Sequence, residues 1–306
     1  MLTTQQIHFV PRQELDTVAW DHCINTAPNG LIYATHEYLD IVCRNWDALV
    51  WGDYSAVMPL VWRRKWGIYY LYYPPFCAEL GVFGNNLSAT LVLQFLKAIP
   101  GKFRYWDFPM NHGNNFQLDG FDLKLRTNYI LPLESGYDQI SANYRQNLQR
   151  NIRKAARLDY QVDKGFPVAE VIGLARLYTP EVLVASASYA GFEQIFKLLA
   201  SRDKAITYGI RNPKGTLLAS CAFLFGNKRA YYILVGNHPD GKTAGASHAL
   251  IDAFIKDHAG RELVLDFEGS DIRNLAFFYS GYGAKTEHYP VIQLNRLPGP
   301  VRWLKK

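Results

Sequence analysis

The residues of this chain that can do chemistry gather between Tyr231 and Gly283. A strand, YYILVG, runs into the loop NHPDGKTAG and then into the helix GASHALIDAFIKDH. Gly241 and Gly245 bracket the start of that helix, where backbone N–H groups can be approached closely. A helix N-terminus offers unsatisfied N–H groups and a partial positive charge, which suits a phosphate, and Lys242 adds a formal cation. The same residues also make an ordinary Asp240-Gly241 turn and a loose helix start. Further on, Asp266 and Glu268 end a strand, and alternation predicts their side chains on one face. Carboxylates at the open end of an α/β sheet stand where ligands bind. Asp266 serves equally well as a cap for a helix over Asp271–Ser280 or as a partner for Arg273.

The elements that must position these groups recur along the chain. Ala56–Trp62 and Trp66–Tyr73 are apolar runs around RRK and read as a hairpin, followed by a helix over Leu87–Ile99 and a strand over Phe103–Phe108. Leu217–Phe225 and Ala230–Val235 flank GNK as a second hairpin, followed by a helix over Ala244–His258 and a strand over Glu262–Phe267. Tyr70 and Asp107 stand 37 positions apart, Tyr232 and Asp266 34, as two copies of one α/β unit require. Helices are also expected over Arg12–Asn25, His36–Asn45, Tyr137–Leu158, Pro167–Ala185 and Gly191–Ala200, with β segments over Asn128–Leu133, Tyr160–Val162 and Thr286–Leu294. Glu134-Ser135-Gly136 punctuates the middle, so the division falls there: residues 1–135 form one domain and 136–306 the other. Arg302, Lys305 and Lys306 read as a surface tail.

Composition bounds the answer without choosing it. A length of 306 residues, 49% hydrophobic and 20% charged, describes a globular protein of two domains. Aromatics at 14% fit a chain that lines a ligand cleft, and a net charge of +6 makes an anionic partner reasonable. Cys23, Cys43, Cys77 and Cys221 form no CxxC pair and read as buried thiols in a reducing cytosol. Eight histidines show no HExxH or paired ligand spacing, so no metal is expected. No leader and no membrane-inserting run stands out, and a cytoplasmic location follows.

Lys242-x-x-Gly245-x-Ser247 resembles the diphosphate loop of the GNAT acyl-CoA N-acyltransferases, and Asn274 to Gly283 resembles their second signature, including a tyrosine four residues before a glycine. Lys242, Ser247 and Ala284 depart from the usual residues, which relaxes the loop. Tandem halves, with Arg150-Asn151-Ile152-Arg153-Lys154-Ala155 opening the second, resemble the FemAB-type transferases. That resemblance implies a mixed-sheet α/β fold of two tandem GNAT-like domains. It also implies transfer of an acyl group from coenzyme A, or of an aminoacyl group from tRNA, to a small-molecule or peptide amine; Fem-type enzymes act on cell-wall precursors. The first half then binds acceptor or serves as architecture. Asp266 or Glu268 takes the amine proton, and Tyr279 protonates the leaving group. Backbone N–H groups at the end of Tyr231–Gly236 polarise the acyl oxygen. Tyr232, Gly236, Lys242, Gly245, Ser247 and Asn274 line the carrier. Tyr279 is also readable as one more core aromatic beside Phe277, Phe278 and Tyr282.

Ile140, Tyr144, Leu148, Ile152 and Ala155 make one stripe of the helix Tyr137–Leu158, and Arg150, Arg153, Lys154 and Arg157 fall opposite. These four cations are either a solvated face or a phosphate rail for tRNA. Coenzyme A needs only its diphosphate loop, so it ranks as first carrier and tRNA as second, with little work for this face. Two other classes compete. Ser247, Asp266 and His288 follow the order of an α/β-hydrolase triad. The 41 positions from Ser247 to His288 are too few for that fold, and Ala249 stands where a glycine belongs. A GNAT-like module without catalysis is the other, and His112 in MNHGNN is a loop residue that could touch an acceptor.

Overall fold

The computed structural model describes residues 6–178, 185–269 and 271–299. In chain order the elements are β1 (Ile7–Val10), α1 (Thr17–Thr26), α2 (His36–Val42), β2 (Trp46–Trp51), β3 (Ala56–Lys65), β4 (Ile68–Tyr72), β5 (Phe83–Gly84), α3 (Ala89–Ala98), β6 (Phe103–Pro109) and β7 (Leu123–Pro132). There follow α4 (Tyr137–Ser141), α5 (Gln146–Arg157), β8 (Gln161–Lys164), α6 (Val168–Tyr178), α7 (Ser186–Ala200), β9 (Ala205–Arg211), β10 (Leu217–Gly226) and β11 (Arg229–Asn237). The chain closes with α8 (Pro239–Ala244), α9 (Ala246–His258), β12 (Val264–Asp266), α10 (Arg273–Ser280) and β13 (Lys285–Asn295). Contacts divide it into Met1–Arg126 with His288–Lys306, and Thr127–Glu287. This differs from a division at 135/136 because the end of β7 pairs with β12, from Pro132 opposite Val264 to Ile130 opposite Asp266, and because β13 pairs with β6, from Val291 opposite Pro109 to Asn295 opposite Tyr105. The last strand therefore belongs to the first unit.

Each unit repeats one plan. In the first, β3 and β4 form an antiparallel hairpin, α3 follows, and β6 returns parallel to β4. In the second, β10 and β11 form the hairpin, α8 and α9 follow, and β12 returns parallel to β11. Both hairpins turn on two residues with positive φ: Trp66 and Gly67 at 50° and 78°, Asn227 and Lys228 at 51° and 57°. Such turns match the twist of the strands they join. RRK, read as the first turn, lies within β3, where Arg63, Arg64 and Lys65 pair with Tyr70, Tyr69 and Ile68.

The first unit's strands run β1-β2-β3-β4-β6-β13, with β5 on β3. Val92, Phe95 and Leu96 of α3 close over Leu71, Phe103 and Trp106. The second unit's strands run β7-β12-β11-β10-β9-β8, and α9 lays Leu250, Ile251, Phe254 and Ile255 on Phe223, Tyr232 and Leu265. Capping sets helix starts: Asp16 accepts from Val18 and Ala19 N–H at 3.0 Å each, and Ser88 accepts from Leu91. The expected helix Tyr137–Leu158 is broken into α4 and α5, because Arg145 N–H leaves the helical ladder and donates to Gly281 carbonyl at 2.9 Å. Its stripe survives the break: Ile140, Tyr144, Leu148 and Ala155 are all buried. The end of the expected helix Pro167–Ala185 and the C-terminal basic residues fall outside the described residues. All four cysteines are buried thiols outside any disulfide.

One polar cluster is buried in the second unit. Arg229 meets Asp266 at 2.8 Å and Glu287 at 2.8 and 2.9 Å, while Asn128 donates to Asp266 at 2.8 Å. The two carboxylates hold the guanidinium's pKa above its usual value against the effect of burial. Removing one member of a buried ion pair strands the others. Arg229→Met is therefore expected to destabilise the protein by about 3–5 kcal/mol, read from the urea midpoint; a loss below about 1 kcal/mol would show that water repays the two carboxylates.

Candidate functional site

The site is built on a parting of strands. β12 pairs with β11 only from Arg229 opposite Val264 to Tyr231 opposite Asp266. β11 continues along β10 as far as Asn237, while Phe267 stays with β7, its N–H donating to Tyr129 carbonyl at 3.0 Å. At the parting, Ala222 pairs with Leu234 and Phe223 with Tyr232, so Ile233 is an extra residue that bends β11 away. The edge of β11 from Tyr232 to Gly236 thus has no strand partner on the β12 side among the described residues. A strand edge without a strand partner turns alternate N–H groups outward.

Aromatic rings floor the fork. Tyr279 of α10 stacks on Phe267 with ring centres 4.6 Å apart and meets Tyr232 edge-on at 6.4 Å. Burial, then the nearby Cys221 thiol and Glu268 carboxylate, push the Tyr279 hydroxyl well above the usual phenol range. The Tyr279 hydroxyl is thus protonated at physiological pH. Glu268 sits in a turn with φ of 64°, and its charge acts on both Tyr279 and Cys221.

Asp266 is not with them. It is 4% exposed and points to the face opposite Leu265 and Phe267, into the cluster with Arg229 and Asn128. It also accepts from Glu268 N–H at 2.9 Å, which shapes the turn that carries Glu268. Alternation was expected to place Asp266 and Glu268 together; the left-handed backbone at Glu268 breaks the alternation. The geometry brings Tyr232, Glu268 and Tyr279 together and separates the Asp266 side chain from them. Neither of its sequence-stated alternatives holds: it neither caps α10 nor pairs with Arg273 but binds Arg229, whose part in the cluster no motif signals.

The start of α9 differs from a diphosphate loop. Pro239–Ala244 is a helical turn, and Lys242 is exposed on it. Gly245, at φ of 78°, joins α8 to α9, and a side-chain carbon there would lie 2.6 Å from the Asn151 carbonyl oxygen of α5. A side-chain carbon on Gly241 would lie 2.3 Å from Leu218 carbonyl oxygen. Both glycines therefore answer to backbone packing rather than to an open approach. Lys154 donates to Thr243 carbonyl at 2.8 Å and ties α5 over the same turn. Ser247 donates to Asn237 at 2.6 Å, and not to a histidine, which leaves the hydrolase order without a triad. Gly236 lies under α6, against Leu174 and Ala175, and Asn274 is exposed on α10. In the first unit, His112 N–H donates to buried Glu79 at 2.9 Å.

Among the described residues, no group of three or more His, Cys, Asp or Glu side chains is placed to hold a metal ion, and no helix is long and apolar enough to cross a membrane. No family model matches the sequence, and no curated protein is similar to it. Solved structures are. FemX shares 13% identity at a TM-score of 0.66, over 95% of this chain and 98% of its own. A conserved protein of unknown function from Bacteroides thetaiotaomicron VPI-5482 shares 10% at 0.59, over 91% and 97%. L-PGS from Bacillus licheniformis shares 14% at 0.51, over 85% and 87%. The fold is the one FemX has, a mixed-sheet α/β fold in two units that repeat one plan.

His248, which no motif singled out, pins the site's helices together. Its ring meets Asn151 of α5 at 3.3 Å and Phe278 of α10 edge-on at 4.7 Å, and its carbonyl accepts the Tyr282 hydroxyl. Burial lowers its pKa to about 4. A histidine whose folded pKa lies below its unfolded value stabilises the fold above the unfolded pKa, and that stability is lost as pH falls toward the folded one. Between pH 7 and 5 the wild type is expected to lose roughly 1–2 kcal/mol more than His248→Gln. Parallel urea titrations of the two proteins at both pH values would disprove a neutral His248 if their losses were equal.

Proposed function

We propose that the second unit transfers an acyl group to an amine, and that the group arrives as an ester on tRNA. The observation that carries the choice of carrier is the Asn151 carbonyl oxygen packed on Gly245. A diphosphate needs the N–H groups of that turn, and α5 lies where it would enter. This reverses the order in which the sequence ranked coenzyme A and tRNA. The cations of α5 support the same reading. Arg150, Arg153 and Arg157 are exposed and have no acidic partner among the described residues, a surface suited to a phosphate backbone.

The fork supplies the chemistry. The amine nitrogen attacks the ester carbon, and the carbonyl oxygen gathers negative charge against N–H groups of the β11 edge. Glu268 takes the proton that the nitrogen must lose, and the Tyr279 phenol gives one to the ribose oxygen as the C–O bond breaks. Tyr232 and Phe267 exclude water, which would otherwise hydrolyse the ester. The acceptor is the amine of a small molecule or peptide. The first unit, whose Tyr72–Gly81 loop has no basic residue, is assigned to acceptor binding or to support.

Two measurements test this. With aminoacyl-tRNA and acyl-CoA offered in parallel, transfer is expected from the RNA ester, and Tyr279→Phe should lower kcat by roughly 10²-fold with little change in carrier KM. Faster transfer from acyl-CoA, or full turnover in the variant, would overturn the carrier or the donor role respectively. Replacing Arg150, Arg153 and Arg157 together with glutamine should weaken tRNA binding and flatten its dependence on log salt by roughly 2–3. An unchanged slope would remove these residues from the carrier's path.

A further inference from the structure

The two hairpins that repeat between the units end in different chemistry. In the second, Asn227 and Lys228 take the left-handed turn, and Lys228 pairs with Glu262. Asparagine suits that backbone. In the first, the corresponding residue is Trp66, which has φ of 50° and is 77% exposed. A bulky side chain is disfavoured in this conformation, and a ring so exposed gains little from burial. Trp66 is the one exposed tryptophan among the described residues, and packing does not account for it.

The charge around it has one sign. Residues 54–106 carry six cations, Arg63, Arg64, Lys65, Lys97, Lys102 and Arg104, all of them exposed. The same stretch has one carboxylate, Glu79, which is buried and accepts the His112 N–H. None of the six cations pairs with a carboxylate among the described residues. Those at the tip lie on ring faces instead: Arg63 over Tyr72 at 4.4 Å, Arg64 over Tyr69 at 5.2 Å, Lys65 over Trp66 at 4.5 Å and Lys102 over Phe9 at 4.8 Å. Alternation along β3 sends Arg63 and Arg64 to opposite faces of the hairpin, and Lys102 is held beside it because Phe103 pairs with Tyr69. The apex therefore ends in an aromatic ring with positive charge on both sides.

We propose that the Trp66 turn docks the protein peripherally on the surface of an anionic phospholipid bilayer. The indole enters the headgroup layer, and Arg63, Arg64, Lys65 and Lys102 meet the lipid phosphates. Tryptophan has an apolar body and a polar N–H, which suits that layer. Each cation adds attraction to an anionic leaflet. Nucleic acid fits the tip less well. A stacked base needs an open ring face, and the rings of Trp66, Tyr69 and Tyr72 already carry Lys65, Arg64 and Arg63. A bilayer takes such a capped ring edge-on.

The test is sedimentation of the full chain with vesicles of phosphatidylcholine, alone or mixed with phosphatidylglycerol. Wild type should bind the anionic vesicles at least about tenfold more tightly than the neutral ones, with a preference that fades as salt is added. Trp66→Asn installs the residue that the second hairpin uses. It should weaken vesicle binding about tenfold and leave the urea midpoint unchanged or raised. Replacing Arg64, Lys65 and Lys102 together with glutamine should weaken it roughly 100-fold. Replacing Arg150, Arg153 and Arg157 instead should leave most of the affinity, because the tip is intact. Equal binding to both kinds of vesicle, or wild-type binding by Trp66→Asn, would overturn the proposal. So would a lowered urea midpoint in Trp66→Asn, which would make the ring a structural element. A loss in the α5 variant as large as in the tip variant would reduce the attraction to net charge and overturn it too. Tighter binding to a single-stranded RNA octamer than to the anionic vesicles, lost in the same tip variants, would give the tip to nucleic acid.

Discussion

The second unit is organised by the point at which β12 leaves β11. Two paired residues past Arg229 the strands separate, and both faces of the sheet are committed to holding them apart. On one face Arg229 draws in Asp266 and Glu287, and Asn128 bonds both Asp266 and Gly269 N–H, at 2.8 and 2.6 Å. On the other, Phe267 wedges its ring against Tyr279 and Tyr282. The polar cluster and the aromatic wedge act on adjacent residues, 266 and 267, so the turn that bears Glu268 has little freedom. A buried charge network of this kind gains geometric definition more than net stability.

A second constraint links the helices to that fork. Gly245 lets α5 approach α9 backbone to backbone, and Gly283, at φ of 80°, packs on Asn143 in the link before α5. Arg145 then bonds Gly281 carbonyl and lays its guanidinium over Phe277. Both signature segments thus end by packing on one basic helix. The approach that brings α5 onto the start of α9 leaves Arg150, Arg153 and Arg157 on the exposed side of α5.

The architecture was largely legible along the chain. Two hairpins, each followed by a helix and a strand at matching spacing, announced the duplication, because period-2 and period-3.6 patterns survive any tertiary arrangement. The misplaced features are those set by long-range contacts. RRK reads as a turn but extends β3, since Trp66-Gly67 takes the positive φ values. One continuous amphipathic stripe reads as one helix, and the hydrogen bond that Arg145 N–H donates to the Gly281 carbonyl, 136 positions away in sequence, breaks it. The closing strand reads as part of the second domain and pairs with β6.

By itself, then, the sequence determined the elements, their repetition, and a set of candidate groups at the ends of β11 and β12. Those are local properties, written in spacing and side-chain type. It also carried the glycines at 241 and 245, but not their meaning, since a glycine permits close approach without stating what approaches. Only the tertiary structure decided that backbone from β10 and α5 packs against those two positions. Only it turned Asp266 away from Tyr279 while leaving Glu268 beside it, because one left-handed residue after a strand reverses the face that alternation assigns.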